Sequence, residues 1–229
     1  VGMIDHEFRY LPWRARLKEL IDEGYIGRPY HLSFTAFSGF RGDPQRGWNW
    51  WSEKEKGGGM LGAIGSHVID TMRYLVGEVE AVAGLVDTRI TERPAPDGGM
   101  KAVTSDDNCA FIARLAGGAS ASVHLSAIAR PGRGERIEVF GRDGTLVLDG
   151  EGKLWGGRKE DSKIAELPIP DRLKFSASGL IGPFGHLLSQ MIEGIRAGAA
   201  EVSPSFTDGL RVQEVMDAVH VHLPPLHDP

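Results

Sequence analysis

Residues 108–126 read NCAFIARLAGGASASVHLS, and this stretch gives the clearest indication of the architecture. Apolar and polar side chains alternate within 108–115 and again within 119–126, which is the period of a half-buried strand. The tripeptide Ala-Gly-Gly at 116–118 favours a tight turn, and a short turn implies antiparallel pairing. We therefore predict a β-hairpin in the middle of the chain.

Further strands and helices are predicted on both sides of this hairpin. Strand patterns cover residues 30–36, 79–90, 136–140 and 145–148, with a short edge strand at 153–155. Helical stripes cover residues 12–24, 60–75, 183–197 and 208–221, whereas 91–106 and 159–178 are predicted as a hairpin excursion and a surface loop. Helices set before and after the strands are typical of an α+β domain. The prediction is a large, mostly antiparallel open β-sheet with helices on one face.

The composition excludes several classes of protein. The 229 residues carry a formal net charge of -5, so there is no cationic excess for nucleic acid. The single cysteine, Cys109, excludes an internal disulfide, and a reducing, cytoplasmic location is the expectation. No run of about 18 apolar residues is present, so no membrane span is predicted.

The segment GGGMLGAIGSHVID at residues 57–70 is unusually rich in small side chains. Glycine at a helix start is unfavourable by up to about 1 kcal/mol relative to alanine, so something requires the space. Bare backbone N–H groups there would favour oxyanions or hydroxyl oxygens of a ligand. The alternative, tight packing of the helix on the sheet, is equally compatible with these glycines.

Residue His67 is the candidate catalytic group. At helical spacing Ala63, His67, Asp70 and Thr71 share one face. A neutral imidazole can take a proton from a substrate alcohol near physiological pH, and Asp70 could orient it. A single histidine on a helix is more often a hydrogen-bonded structural residue, and spacing alone leaves both readings open.

The tryptophan-rich loop just before the glycines could form one wall of a pocket. Trp48 and Trp50 would supply stacking faces for a sugar ring, and Asn49 an amide for its hydroxyls. Such tryptophans could equally plug a core edge.

The other histidines are weaker candidates. His124 lies on a polar sheet face that could line a pocket or meet a second subunit, and we favour a structural role. His220, His222 and His227 resemble a metal cluster in composition only, because prolines before His227 destroy a shared helical face. No metal site is predicted.

Three motifs in order resemble the C-terminal portion of the glucose-fructose oxidoreductase, inositol dehydrogenase and MocA family. They are EFRYLPWRARLKELIDEGYIG at 7–27, GGGMLGAIGSHVID at 57–70 and SFTDGLRVQEVMDAV at 205–219. The resemblance implies that a Rossmann domain, which binds NAD or NADP and carries a Glu-Lys-Pro motif, comes first in such enzymes. It implies that residues 1–10 are the last strand of that missing domain and 11–229 a substrate-binding and oligomerisation domain. The main cofactor-binding residues would then lie outside this chain.

The resemblance also assigns roles to individual residues. His67 matches the family's active-site histidine, and Arg9 resembles an arginine that faces the substrate. The family commonly has an aspartate four residues before the histidine, where this sequence has Ala63. This departure removes one carboxylate that would orient the substrate or assist proton transfer.

The resulting functional expectation is a dehydrogenase acting on a secondary alcohol of a sugar, inositol or related polyol. This portion alone is expected to be inactive, and family members commonly pair their open sheets, which predicts a homodimer or higher oligomer. The alternative is a non-catalytic ligand-binding or assembly module of the same fold, motivated by Ala63.

Overall fold

The computed structural model describes residues 1–220 and is organised around one large sheet. The helices are α1 (Pro12–Asp22), α2 (Ser66–Val76), α3 (Ile181–Arg196) and α4 (Phe206–Val219). The strands are β1 (Pro29–Phe37), β2 (Val79–Asp87), β3 (Glu92–Pro94), β4 (Met100–Ala102), β5 (Asn108–Leu115), β6 (Ser120–Ser126), β7 (Gly134–Gly141), β8 (Gly144–Leu148), β9 (Leu154–Arg158) and β10 (Ala165–Leu167).

The sheet has eight strands in the order β10-β9-β8-β7-β1-β6-β5-β2, and β3–β4 form a separate hairpin. The predicted hairpin at 108–126 is β5–β6, with Phe111 opposite Val123. The predicted mostly antiparallel sheet is confirmed, with one parallel pair at its centre, β1 with β6. A parallel pair needs a long crossover connection between its two strands. Here α2, β2 and β5 lie between β1 and β6 in the chain and provide that connection.

One face of the sheet forms the hydrophobic core. Leu32, Phe34, Phe111 and Val123 are buried in a cluster that also holds apolar side chains of α1, α2 and α4. On the other face the alternate side chains remain accessible, and Ile112 is 64% exposed. The period-two pattern therefore separates a helix-covered face from an open face, as predicted.

Within residues 1–220 the N-terminal segment has no strand partner, so its assignment as the last strand of a preceding domain stays a prediction. Residues 1–8 make one isolated bridge, Gly2 with Glu201, and then enter a 3-10 turn at Glu7–Tyr10. A strand needs a neighbouring strand to share hydrogen bonds. Here the segment lies instead against the start of α4, where the ring of Phe206 contacts Gly2.

The other boundaries differ slightly from prediction. The surface loop predicted at 159–178 contains the short strand β10 and a 3-10 turn at Asp171–Leu173, and 91–106 forms the β3–β4 hairpin as expected. The last helix ends at Val219, and the predicted tail with His222 and His227 lies outside the described residues.

Helix α3 has an amphipathic pattern that the core does not use. Of its apolar stripe only Leu187 is buried, at 3% exposed. The side chains of Ile181, Phe184, Leu188 and Ile195 are between 40% and 70% exposed. The stripe is thus a surface feature of the described part of the chain.

Candidate active site

The glycine run before α2 is explained by packing against protein backbone. A side chain at Gly58 would lie 2.6–2.7 Å from the carbonyl oxygens of Trp50, Trp51 and Glu53. At Gly62 a Cβ would lie 2.6 Å from the Gly57 carbonyl oxygen. The sequence left open a ligand site or tight packing of the helix on the sheet. The structure supports tight packing, but the backbone that the glycines contact belongs to the tryptophan loop more than to the sheet.

The backbone donors at the start of this helical segment are occupied by Asp106. The Leu61 amide donates to Asp106 Oδ2 at 2.9 Å, and the Met60 amide donates to the Asp106 carbonyl at 3.0 Å. Burial of this carboxyl raises its pKa to about 6. Asp106 thus takes the place that a bound oxyanion would need, a role that its position in the sequence did not reveal.

The helical segment is not regular before His67. Residues Leu61–Gly65 form a π-helical turn, after which α2 begins at Ser66. A π turn inserts an extra residue into the helical repeat, so Ala63 and His67 do not stand in the simple one-turn relation predicted from 3.6-residue spacing. Such turns are frequent at functional sites.

The His67 imidazole is enclosed by residues that precede α1. Its ring stacks on Phe8 with 4.2 Å between centroids and meets His6 edge-on at 5.6 Å. Burial lowers the pKa of His67 to about 4, and the nearby His6 and the Arg14 guanidinium act in the same direction. His67 is therefore neutral at physiological pH, as a proton acceptor must be.

The nearest carboxylate oxygen to His67 belongs to Glu7, a residue that the sequence analysis did not single out. Glu7 Oε2 lies 3.9 Å from His67 Nδ1. Burial raises the pKa of Glu7 to about 7, and the neighbouring Asp5 adds to the rise. Nothing in the local pattern marks Glu7, because it meets His67 across 60 positions of sequence.

Arg9 and Asp70 form a buried ion pair. Arg9 Nε and Nη2 donate to the two Asp70 oxygens at 2.7 and 2.5 Å, and Arg9 also contacts Ser203 and Asp208 at 3.0 and 3.2 Å. The residues are only 5% and 1% exposed. Both Asp70 oxygens are thus occupied by Arg9, and within residues 1–220 Asp70 makes no hydrogen bond to His67. Its role in orienting the histidine stays a prediction.

The tryptophan loop lies against the β3–β4 hairpin. The Trp48 indole N–H donates to the Ala102 carbonyl at 3.0 Å, and the Lys101 ammonium lies 3.5 Å from its ring centroid. Asn49 accepts from the Trp51 amide, and Trp50 is 49% exposed. Within residues 1–220 no hydrogen bond or ring contact joins this loop to His67, so its role as a pocket wall stays a prediction.

A cavity of about 720 Å³ adjoins the histidine through Phe8. Its walls include Trp13, Arg14, Glu135 and Phe175. Arg14 is fixed there by hydrogen bonds to Thr71 and Glu135, both at 2.6 Å. None of the residues predicted from sequence lines this cavity, which is formed by α1, β7, the β8–β9 turn and the segment before α3.

Three further findings concern metal sites, membrane spans and His124. Residues 1–220 contain no group of three or more histidine, cysteine, aspartate or glutamate side chains that could hold a metal ion. No helix in the same range is long and apolar enough to cross a membrane. His124 lies on the open sheet face, where it contacts Phe37 and Asn108.

The structure thus places a partly buried, neutral histidine beside an aromatic-lined cavity, on a domain in which helices cover one face of an open sheet. Residues 15–147 match the model described as the GFO/IDH/MocA C-terminal domain. The chain belongs to this family of oxidoreductases, as its three motifs indicated.

Individual relatives agree with this assignment. The chain is 31% identical over 225 residues to an uncharacterized oxidoreductase of Synechocystis sp., and this match covers 93% of this chain and 60% of the relative. It is 32% identical over 255 residues to levoglucosan dehydrogenase of Pseudarthrobacter phenanthrenivorans, and this match covers 96% of this chain and 64% of the relative. The solved structure of levoglucosan dehydrogenase with NADH and L-sorbose superposes with a TM-score of 0.85 at 29% identity, covering 96% of this chain and 63% of that one. The chain thus spans about three fifths of the length of these relatives.

Proposed function

We propose that this chain is the substrate-binding part of an NAD- or NADP-dependent dehydrogenase that oxidises a secondary alcohol of a sugar, inositol or related polyol. The observation that carries the proposal is His67, a neutral imidazole held between Phe8 and His6 beside a cavity of substrate size. The similarity to levoglucosan dehydrogenase, solved with NADH and levoglucosan, supports the substrate class.

His67 is the proposed proton acceptor. The Nδ1 atom of His67 is buried. Within residues 1–220 its Nε2 atom makes no hydrogen bond and is not fully buried, so Nε2 retains access to solvent. The hydroxyl proton of the substrate would pass to Nε2. A bound nicotinamide supplies the acceptor for the hydride that leaves the same carbon.

The described residues do not fit a dinucleotide. The pyrophosphate of such a cofactor needs free backbone N–H groups at a glycine-rich helix start. In this chain Gly58 faces the carbonyl oxygens of Trp50, Trp51 and Glu53, and its amide donates to the Glu53 carbonyl. The amides of Met60 and Leu61, which follow the first three glycines, donate to Asp106. We therefore propose that the nucleotide is held by a part of the protein outside residues 1–220, and that this portion alone does not turn over substrate.

The exposed apolar surface of α3 supports the proposal that a further domain packs against this one. Besides the exposed stripe of α3, Ile181 to Ile195, apolar side chains are exposed at Phe206 and Leu210 on α4, at 62% and 58%. Apolar surface of this extent usually marks an interaction site. A nucleotide-binding domain packed there would lie next to Arg9, whose partner Asp208 is on α4.

The open sheet face supports a second proposal, that the protein forms a homodimer or higher oligomer through it. Leu85 and Ile112 protrude from neighbouring strands, with Ala83 opposite Ile112. We also propose a cytoplasmic location, for which the free, buried thiol of Cys109 is the supporting observation.

The test uses the whole protein, with polyols and sugars screened against NAD and NADP. Replacing His67 by alanine should lower kcat by about two to four orders of magnitude if it is the general base. The matched control is His124→Ala, on the open face, which should retain the rate. Absence of hydride transfer with every sugar would refute the dehydrogenase and favour a non-catalytic binding module.

A further inference from the structure

Two buried polar atoms face each other beside the candidate active site without hydrogen-bond partners. They are Glu7 Oε2 and His67 Nδ1, separated by 3.9 Å. The two side chains are only 10% and 20% exposed. Buried polar groups are almost always paired, so an unpaired donor and an unpaired acceptor this close point to a hydrogen bond that forms in another state of the site.

Among the nearby carboxylates, Glu7 is the one available to this imidazole. Phe8 stacks on one face of the ring at 4.2 Å and His6 meets it edge-on. The two oxygens of Asp70 are occupied by Arg9. Because Glu7 and Phe8 are consecutive in one 3-10 turn, a movement of about 1 Å would bring the Glu7 oxygen within normal hydrogen-bond distance of Nδ1.

We propose that Glu7 is the positioning residue that sets the tautomer of His67. The ionised Glu7 carboxylate accepts a hydrogen bond from Nδ1–H, which keeps the ring proton on Nδ1 and leaves Nε2 unprotonated, so that Nε2 accepts the proton of the substrate hydroxyl. The protonated Glu7 carboxyl donates to Nδ1 and leaves the ring proton on Nε2, which is then a donor. The consequence for catalysis rests on the dehydrogenase function proposed above, whereas the hydrogen bond itself does not.

The environment of Glu7 and His67 places the protonation change of Glu7 near neutral pH. Burial and the neighbouring Asp5 raise the pKa of Glu7 to about 7, against a backbone hydrogen bond and the Arg14 guanidinium, which lower it. His67 is held neutral by burial, His6 and Arg14, with Asp70 and Asp5 acting in the opposite direction. Glu7 is therefore protonated below about pH 7 and ionised above it, and Nε2 becomes an acceptor as pH rises through that value.

The test is a ¹⁵N NMR titration of the histidine side chains in this chain, with His67→Asn used for assignment. We expect the ring proton of His67 to move from Nε2 to Nδ1 in one step near pH 7, and the step to be absent in Glu7→Gln. Glu7→Asp, which keeps an ionisable group, should retain a shifted step. The resonances of His31 and His124, on the open sheet face, are internal controls and should be the same in the parent protein and in Glu7→Gln.

An unchanged His67 titration in Glu7→Gln would overturn the proposal. In the whole protein, alcohol oxidation should rise about tenfold per pH unit up to pH 7 and then level off, and Glu7→Gln should flatten this rise. If the protein transfers no hydride, the dehydrogenase function fails while the NMR step still decides the role of Glu7. If hydride transfer occurs with the same pH profile in both proteins, Glu7 has no part in it.

Discussion

The Asp70 carboxylate determines how the segment before α1 is attached to the domain. It holds Arg9 by two hydrogen bonds, and both groups lie almost entirely out of water. A buried pair of this kind contributes little compared with an apolar pair of the same shape, but loss of one partner leaves an uncompensated charge. Arg9 also reaches Asp208 and Ser203, so the pair connects α2 to the start of α4.

We predict that Asp70→Asn lowers the free energy of unfolding by about 3 kcal/mol, because the Arg9 guanidinium loses its buried counter-charge. Urea denaturation followed by circular dichroism would measure the loss. Glu80→Gln is the matched control, since Glu80 pairs with Arg114 on the surface and its change should stay within about 0.5 kcal/mol. Equal stability of the two variants would show that the Arg9–Asp70 pair is dispensable.

Among single residues, the sequence singled out His67 as a candidate catalytic group but did not indicate Glu7 or Asp106, which lie in or beside the candidate site. His67 could be selected because its motif is specific and its chemistry is distinctive. Glu7 and Asp106 could not be selected, because each acts on a group more than 40 positions away. Local periodicity carries no information about such contacts.

At the level of elements, the helical segment ahead of α2 combines two irregular features. Glycines allow the tryptophan loop to approach its first turn, and the π turn Leu61–Gly65 then changes the helical repeat before His67. The same glycine run could have opened a ligand site, as the sequence allowed. The tertiary structure fills the space with carbonyl groups and the Asp106 side chain instead.

Two glycine-to-alanine changes should therefore have opposite effects. Gly62→Ala places a methyl group 2.6 Å from the Gly57 carbonyl oxygen and should destabilise the fold by about 1–3 kcal/mol. Gly185→Ala in α3 meets nothing within 4 Å and should stabilise it by about 0.5–1 kcal/mol, because alanine is the better helix former. Thermal unfolding of both variants tests this, and stabilisation by Gly62→Ala would contradict the packing described for this segment.

At the level of the whole molecule, the open sheet face and the α3 stripe are the two apolar surfaces left uncovered by the described residues. They lie on different elements: the first on β2 and β5, the second on α3 and the start of α4. These are the surfaces proposed above for pairing with another copy and for contact with a nucleotide-binding domain, and the two proposals can therefore be tested separately.

We predict that the protein is a dimer or larger in solution and that Ile112→Lys shifts it towards monomer. Ile112 is 64% exposed near the middle of β5, and a charge buried in a sheet-to-sheet contact would be strongly unfavourable. Light scattering over a range of concentrations gives the mass. Met100→Lys, on the exposed β3–β4 hairpin, should leave it unchanged. A monomeric parent protein would refute pairing through this face.

The sequence by itself determined the strand and helix pattern, the turn at 116–118, the mostly antiparallel sheet and the family. These follow from side-chain period, turn residues and ordered motifs, which are local properties of the chain. Only the tertiary structure decided the parallel β1–β6 pair, the closing of the glycine run by Asp106, the Arg9–Asp70 pair and the approach of Glu7 to His67. Each of these depends on which distant segments the packed core brings together, and hydrogen-bonding capacity alone does not specify the partner.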